Sequence, residues 1–524
     1  MTSTDPTKQK KIFRAIGIVG LITTISRILG LIREIVIANC LGTSAFSDAF
    51  TIAFMIPNLF RRLFSEGALV NIFIPVFKEI ETADGKDSAF EFALSCFWFF
   101  FFFSLVFCSL FIVFAPEILR FGLAVGLAED TLNISVFLTR IMIGYVLFIS
   151  LASICQGILN AFSVFWVSSL TPVLLNLTII SFAVILTPLF QNPAVVLSIG
   201  VITGGSFQLL FQIPFTIKQG LKLVGRITFN SPYLRRTLIL MLPSVFGIGI
   251  YQINILISTS VASLLYEGSI SSLKFSNRLV ELIIGVLIIS LTTVILPRLA
   301  DLFLEQNKSV LEKSLAESLR VITFITFPII MGTIALNEEI VSLVFGRGKF
   351  DQYSVSLTCS ALKFHIMGLT FIAWNRILLT FYQASKKVKA TVQAGILVIL
   401  INLLLAFGLS RIMGHSGIAL GTSISQFLHT VLLLLFLKKL PIRIPIFSFF
   451  RSTTLWLSLL TSTLMYILLI YLKDFQWFSM LPKPATLFIL ITLGGIFYLM
   501  ISYLIRSKEL LLLMKEFKHI KSRK

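Results

Sequence analysis

Charged residues are scarce in this chain. Only 13% of its 524 residues are Asp, Glu, Lys or Arg, while 56% are hydrophobic, and the mean hydropathy is +0.96. Soluble globular domains carry about 25% charged residues, so the composition excludes that class. A spanning helix needs roughly 20 apolar residues, and the sequence offers many such runs. We therefore predict an all-α polytopic membrane protein.

Cysteine and histidine are also rare. The five cysteines are scattered and lie mostly in apolar runs, which argues against a disulfide framework and a metal cluster. The four histidines show no spacing typical of metal ligands. We expect no metal site and no cofactor. The connections between apolar runs are short and leave no room for a soluble catalytic domain, so we expect a transporter and not an enzyme.

Apolar runs separated by charged residues, glycine or proline predict about 14 transmembrane helices. The second run is too long for one straight helix, and we expect it to break near Pro57 or at the Ser65–Gly67 step. The predicted spans are 10–39, 44–80, 88–116, 131–161, 164–188, 193–218, 234–265, 270–300, 313–336, 352–383, 386–411, 414–437, 449–472 and 482–506.

The distribution of lysine and arginine predicts the orientation of these spans. With the N-terminus inside, alternate connections place 28 basic residues on one side and six on the other. Cytoplasmic loops carry the excess of Lys and Arg, so both termini are expected in the cytoplasm. The net charge of +20 is thus a topology signal, and we expect no nucleic-acid partner.

A faint internal repeat predicts the domain organisation. Residues 72–80 resemble 294–302, and 160–176 loosely resemble 383–402. Such repeats are a common transporter plan and fit two pseudo-symmetric six-helix lobes followed by two C-terminal helices. The predicted domains are 1–225 with spans 1–6, 226–440 with spans 7–12, and 441–524 with spans 13 and 14 and a basic cytoplasmic tail.

Ionisable residues inside three predicted spans carry the functional signal. Each costs about 2.5–3.5 kcal/mol at mid-span and normally faces the bundle interior or a watery cavity. Helical spacing places the polar residues of each span in one sector. They are Arg27, Arg33 and Glu34 in the first span; Asp48, Asn58, Arg61, Arg62 and Glu66 in the second; and Lys274, Arg278 and Glu281 in the eighth.

Two interpretations of these residues stand side by side. Ion pairs within the bundle, such as Arg27 or Arg33 with Asp48 or Glu34, and Arg278 with Glu281, explain any single pair as well as function does. The set as a whole favours function, because six cations exceed four anions. The arginine fork suits phosphate and carboxylate groups. We predict a hydrated cationic cavity that receives an anionic headgroup such as a pyrophosphate.

The same residues carry a family resemblance. The segments SRILGLIRE, SDAF, IPNLFRRLFSEGA and FIPVF resemble the N-terminal signature of the MurJ (MviN) family, lipid II flippases of the multidrug/oligosaccharidyl-lipid/polysaccharide exporter superfamily. The likeness continues through NRLVELIIGV at 277–286, FGRGKFD at 345–351 and ILLTFYQA at 377–384, over essentially the whole chain.

The resemblance implies a function in peptidoglycan biosynthesis. Such a protein moves lipid II, the undecaprenyl-pyrophosphate-linked disaccharide-pentapeptide, from the cytoplasmic to the periplasmic leaflet of the bacterial inner membrane by alternating access. Two lobes would enclose a central cationic cavity, and spans 13 and 14 would form a groove for the lipid tail. We expect a monomer that contacts membrane lipids and works with the cell-wall synthesis machinery.

Motif by motif, the resemblance also implies roles for residues of this chain. The arginines regarded as essential in the family fall on Arg27, Arg33, Arg61 and Arg278, and we expect Asn58 to bind the substrate with them. Gate or charge-pairing roles are expected for Glu34, Asp48, Arg62, Glu66, Lys274 and Glu281. Asn277 stands where the family often has aspartate, so Arg278 is expected to pair with Glu281.

Several functions stay open at this point. Coupling to the membrane potential, to sodium or to protons is compatible with the sequence, although predicted spans 7, 11 and 12 lack a mid-span acid. The substrate could be another polyprenyl-pyrophosphate-linked glycan. A drug/cation antiporter of the same superfamily should have an acidic, aromatic site, and an enzyme acting on polyprenyl phosphates should have clustered acid/base or metal-binding residues.

Overall fold

The structure is a computed structural model that describes residues 6–65, 67–285, 308–384, 388–437 and 453–514. Every regular element in these ranges is a helix. The longer helices are α1 (Pro6–Leu41), α2 (Ala45–Phe64), α3 (Ala68–Ala83), α4 (Gly85–Val113), α5 (Glu129–Met142), α6 (Tyr145–Ala161), α7 (Phe165–Ser181), α8 (Pro193–Gln219), α9 (Pro232–Ala262), α10 (Ser269–Ile283), α11 (Lys308–Ala335), α12 (Asn337–Phe345), α13 (Gln352–Met367), α14 (Leu369–Ala384), α15 (Val388–Met413), α16 (His415–Leu437), α17 (Thr453–Lys473) and α18 (Lys483–Leu504).

Short helical segments complete the described chain. Ala115–Ile118 and the π-helix Leu119–Leu123 follow α4, the π-helix Phe182–Leu186 and the 3₁₀ turn Thr187–Leu189 follow α7, and Gln476–Ser479 precedes α18.

Membrane-spanning length and hydropathy confirm the predicted class. Nine helical stretches within the described residues are long and apolar enough to cross a membrane, and ten if one bent pair counts as a span. Neither α1 nor α2 is among them, because three charged residues interrupt the apolar run of each. The count of 14 stays a prediction.

Helix breaks follow the predicted pattern at one site and depart from it at another. The second predicted span divides into two helices, α2 ending at Phe64 and α3 beginning at Ala68, whereas Pro57 lies inside α2. Predicted span 352–383 is bent by 44° between α13 and α14. The bend lies at Gly368, where a Cβ would approach the Ser423 Oγ to 2.8 Å. Ser423 Oγ also donates to the Phe364 carbonyl at 2.6 Å, which removes that acceptor from the helix.

The chain divides into two compact units. The first comprises Met1–Ser271 with Arg347–Phe350, and the second comprises Ser272–Gly346 with Asp351–Lys524. The lobe boundaries at residues 225 and 440 stay predictions.

In the first unit, α1 packs along α7, and α8 packs against α6 and α7. Glycines allow these helices to approach closely: a Cβ at Gly205 would lie 2.5 Å from the Tyr145 ring, and one at Gly157 would lie 2.6 Å from the Phe73 ring. Tyr145 and Phe73 are fully buried in consequence. The packing of α1 along α7 brings Arg33 into contact with Asn176.

In the second unit, α15 and α16 form a tightly packed hairpin, and α11 packs along α17. The C-terminal helices share an apolar core with α11, in which Tyr498 donates its hydroxyl to the Phe324 carbonyl at 2.8 Å. The buried members of this core are Phe324, Ala335, Leu336, Met465, Leu469, Phe478, Leu487, Leu490 and Tyr498.

Candidate functional site

Arg33 is held from several sides on the polar face of α1. Its Nη2 donates to the Oε1 of Glu34 at 2.5 Å, which confirms that the two charges pair. Its Nη1 donates to the Oδ1 of Asn176 on α7 at 3.1 Å. The guanidinium carbon lies 5.9 Å from the centre of the Phe54 ring, within cation–π range. The Arg33 side chain is 15% exposed and Glu34 is buried.

The polar residues of α1 that the sequence places in one sector do not all meet in one cluster. Ser26 and Arg33 share Asn176, whose Nδ2 donates to the Ser26 carbonyl at 3.2 Å. Arg27 is exposed on the same helix. Asn176 was missed as a site residue, although it ends the segment at 160–176 that took part in the weak repeat.

The second predicted cluster lies at the C-terminal end of α2. Arg61 donates through Nε and Nη2 to the Oδ1 of Asn58 at 3.1 and 3.0 Å. Arg62 is half-buried on the next position. Ser65 donates to the Oε1 of Gln156 at 2.9 Å, which joins the end of α2 to α6. Glu66 lies outside the described residues.

Asp48 has two backbone hydrogen-bond partners. Its Oδ1 accepts from the Ser271 N–H and its Oδ2 accepts from the Gly268 N–H, both at 2.8 Å. These amides lie at the N-terminus of α10, where the helix leaves N–H groups without intrahelical partners and favours negative charge. Asp48 is thus held by backbone amides, and its pairing with Arg27 or Arg33 stays a prediction. Nearby, Glu267 accepts from the Ala45 N–H at 2.6 Å.

The third predicted cluster lies on α10 in the second unit. Arg278 Nη1 lies 3.3 Å from the Oε2 of Glu281, as expected from the sequence. Asn277 donates to the other carboxylate oxygen of Glu281 at 3.4 Å. Lys274 Nζ lies 5.7 Å from the centre of the Phe275 ring.

A half-buried histidine lies beside the polar residues of α10. Ser276 Oγ is 2.8 Å from the Nδ1 of His365 on α13, a contact that sequence spacing did not reveal.

These arrangements can bind an anion more readily than they can catalyse a reaction. An arginine has five N–H donors, and only two of those on Arg33 bond to described residues. Its Nε is buried without a hydrogen-bond partner among those residues. A pre-oriented guanidinium of this kind suits bidentate recognition of phosphate or carboxylate.

Similarity to solved structures defines the class. An inward-facing multidrug resistance MATE family transporter of the MOP superfamily matches with a TM-score of 0.68, covering 84% of this chain and 99% of that chain at 15% identity. This likeness shows the fold, which this chain shares with that transporter. A solved structure described as "Lipid II flippase MurJ, inward closed conformation" matches with a TM-score of 0.79 at 26% identity, covering 93% of this chain and 98% of that chain.

Sequence similarity identifies the family. Residues 37–486 match the profile of the family described as "Lipid II flippase MurJ". The probable lipid II flippase MurJ of Treponema pallidum is 34% identical over 435 residues, which cover 80% of this chain and 81% of that protein. The lipid II flippase MurJ of Burkholderia cenocepacia is 32% identical over 449 residues, covering 83% and 85%. The chain belongs to the lipid II flippase MurJ family.

Proposed function

We propose that this protein flips lipid II from the cytoplasmic to the periplasmic leaflet of the bacterial inner membrane by alternating access. Family membership over 450 positions, residues 37–486, supports this substrate. The multiple apolar helices support a multi-pass membrane protein. The absence of long connections in the sequence supports transport without chemical conversion of the lipid.

The orientation of Arg33 is the observation that carries the proposal. A cation in an apolar helix costs several kcal/mol, and such residues mark substrate pathways. Arg33 is held on two nitrogens and one ring face, so little conformational entropy is lost when a pyrophosphate binds. We assign the same headgroup-binding role to Arg27, Arg61 and Asn58 of the first unit and, separately, to Arg278 of the second.

Acidic residues and further cations serve as gate or charge-pairing residues in this proposal. Glu34 limits the positive charge at Arg33, and Glu281 does so at Arg278. Asp48 closes the N-terminus of α10 through two hydrogen bonds that a change of state can break. We give Arg62, Glu66 and Lys274 the same kind of role. Contacts of this kind drive alternating access only if the substrate changes their relative stability between states.

The energy source and partners are part of the proposal. Moving one charge through the membrane potential supplies about 2.3 kcal/mol per 100 mV, so the potential is a sufficient source, and sodium or proton coupling are the other two. The protein would act as a monomer beside the cell-wall synthesis machinery. A flippase for another polyprenyl-pyrophosphate-linked glycan is the second candidate, because the pyrophosphate chemistry is the same. The cationic clusters argue against a drug/cation antiporter.

The test is lipid II flipping by purified protein in liposomes and by cells that depend on this protein. Arg33→Ala should lower flux by roughly ten- to a hundredfold, because hydrogen bonds to charged groups contribute about 1.5–3 kcal/mol. Arg120→Ala is the matched control, since Arg120 also pairs with a glutamate but is half-exposed outside the apolar helices.

The outcomes separate the substrate from the site. Wild-type protein that moves no lipid II contradicts the proposed substrate. Wild-type levels of flipping by Arg33→Ala contradict the proposed role of the cluster. Faster movement of a different polyprenyl-pyrophosphate-linked glycan by wild-type protein favours the second candidate.

A further inference from the structure

Asn176 joins the two polar groups of α1 that face α7. It accepts from Arg33 Nη1 through Oδ1 and donates to the Ser26 carbonyl through Nδ2. The two α1 residues are seven positions apart, about two helical turns. Asn176 is only 6% exposed, so its hydrogen bonds are shielded from bulk water. The Asn176 side chain therefore bridges the Arg33 guanidinium and the backbone of α1 through two hydrogen bonds.

The second anchor makes the orientation of Arg33 specific. A guanidinium bonded at Nη2 alone can still rotate about that bond. The bond from Nη1 to Asn176 and the contact with the Phe54 ring fix its plane. With Nη1 and Nη2 each engaged once, the remaining N–H donors include the buried Nε, which has no partner within the described chain. These donors point in directions that the Asn176 bond determines.

Asn176 does this without reducing the charge of Arg33. Glu34 already supplies one negative charge to the guanidinium. An aspartate at position 176 would accept the same hydrogen bond but would surround Arg33 with two carboxylates, and opposite charges at such distances interact strongly in a low dielectric. A neutral amide orients the cation and leaves it attractive to an anion.

The equivalent position of the weak repeat has a different partner. Residues 160–176 loosely resemble residues 383–402, so Asn402 occupies the position in the second repeat that corresponds to Asn176 in the first. Asn402 is fully buried, and its Oδ1 accepts from Ser425 Oγ at 3.1 Å. The residue type is the same at both positions, but Asn402 accepts a hydrogen bond from a hydroxyl, whereas Asn176 accepts one from an arginine.

We propose that Asn176 is a positioning residue that aims the Arg33 guanidinium at the pyrophosphate of the substrate while preserving its charge. This inference rests on the proposed function. It predicts that changes at position 176 alter the affinity for substrate beyond their effect on folding. A purely structural amide would change transport only in proportion to stability.

The experiment compares Asn176→Ala, Asn176→Asp and Asn402→Ala in liposomes over a range of lipid II concentrations, with the thermal stability of each protein measured in detergent. Asn176→Ala should raise the apparent KM by about ten- to a hundredfold, since misplacement of a group by about 1 Å can cost up to about a hundredfold. Asn176→Asp keeps an acceptor for Arg33 but loses the donor to the Ser26 carbonyl, so its stability should fall, and its KM should rise at least as much as that of Asn176→Ala. Asn402→Ala should lower stability with the KM unchanged.

Three results would overturn the inference. An Asn176→Asp protein with wild-type KM shows that the neutrality of the amide is irrelevant. A KM for Asn176→Ala that matches Asn402→Ala at equal loss of stability shows a structural role only. A double variant, Asn176→Ala with Arg33→Lys, whose effects simply add shows that the two residues act independently. Wild-type protein that moves no lipid II contradicts the proposed function first, and this inference falls with it.

Discussion

Single residues of this protein show what local chemistry reveals and what it does not. The pairing of Arg278 with Glu281 was predictable, because the residues lie one turn apart on one helix. The partner of Arg33 on α7 was not, because Asn176 lies 143 positions away and an asparagine in an apolar run carries no signal of its own. The sequence predicts a functional role for Asp48 because a charge within an apolar run is energetically unfavourable. The backbone amides that bond to it lie more than 200 residues later, at the start of α10.

The cap of α13 gives a prediction with a defined pH dependence. Asp351 Oδ1 accepts from the Ser354 N–H at 2.8 Å, and this bond holds the pKa of the Asp351 carboxyl below its usual value of 3.8. A depressed folded-state pKa stabilises the protein above the unfolded pKa, and the stabilisation is lost as pH falls through the folded value. Asp351→Ala should therefore lower stability at pH 7 by about 0.5–2 kcal/mol, and the difference should shrink below pH 3.8.

Thermal unfolding in detergent at several pH values measures this effect. Asp351→Asn is the control, because asparagine caps a helix as well as aspartate but does not titrate. A difference between wild type and Asp351→Ala that persists undiminished at pH 3 would show that the carboxylate charge has no part in the cap.

At the scale of helices and loops, glycine positions decide where elements meet. Gly67 and its neighbours were predicted to interrupt the second span, and α2 does end at Phe64. The bend at Gly368 was not predicted from the sequence, since a glycine in an apolar run is compatible with a straight helix. The 44° bend there depends on Ser423 of α16, which a one-dimensional pattern cannot supply.

The loop segment Arg347–Phe350 gives the prediction at this scale. Gly348 has φ +60°, and a Cβ would lie 2.1 Å from the Oδ1 and 2.6 Å from the carbonyl oxygen of Asn39. The neighbouring Lys349 N–H donates to that carbonyl at 2.9 Å. Gly348→Ala should therefore lose this hydrogen bond as well as pay about 1–2 kcal/mol for the left-handed conformation. The melting temperature should fall accordingly.

Gly85 offers the matched control for this substitution. It also has a positive φ, +88°, but nothing lies within 4 Å of an added Cβ. Gly85→Ala isolates the conformational cost from the clash, so it should lower the melting temperature less than Gly348→Ala. Equal effects would show that the contact with Asn39 does not constrain the loop. In the double variant Gly348→Ala with Asn39→Ala, only part of the lost melting temperature should return, because the added Cβ still clashes with the backbone carbonyl of residue 39.

At the scale of the whole molecule, charge distribution decides orientation. The excess of Lys and Arg in alternate connections predicts cytoplasmic termini. Under that arrangement the N-terminal end of α4 faces the cytoplasm and the N-terminal end of α5 faces the periplasm. All five cysteines are free and buried, so the native chain should react little with thiol reagents from either side.

Thiol labelling in intact cells tests this orientation. A membrane-impermeant maleimide should modify Asp130→Cys in intact cells but Asp87→Cys only after permeabilisation. Both positions are exposed in the first turn of their helices. The opposite pattern would invert the topology, and labelling of both in intact cells would contradict a crossing by α4.

The sequence by itself determined the class of protein, the charged positions within its apolar runs and the family, and it left Pro57 and residues 65–67 as alternative breaks in the second span. These depend on hydropathy, helical periodicity and motifs, which neighbouring residues carry. Only the tertiary structure decided which groups meet the polar side chains: Asn176 meets Arg33, the amide of Ser271 meets Asp48, and His365 meets Ser276. The reason is physical. Burial makes a polar group require a partner, but packing between helices far apart in the chain selects which partner is within reach.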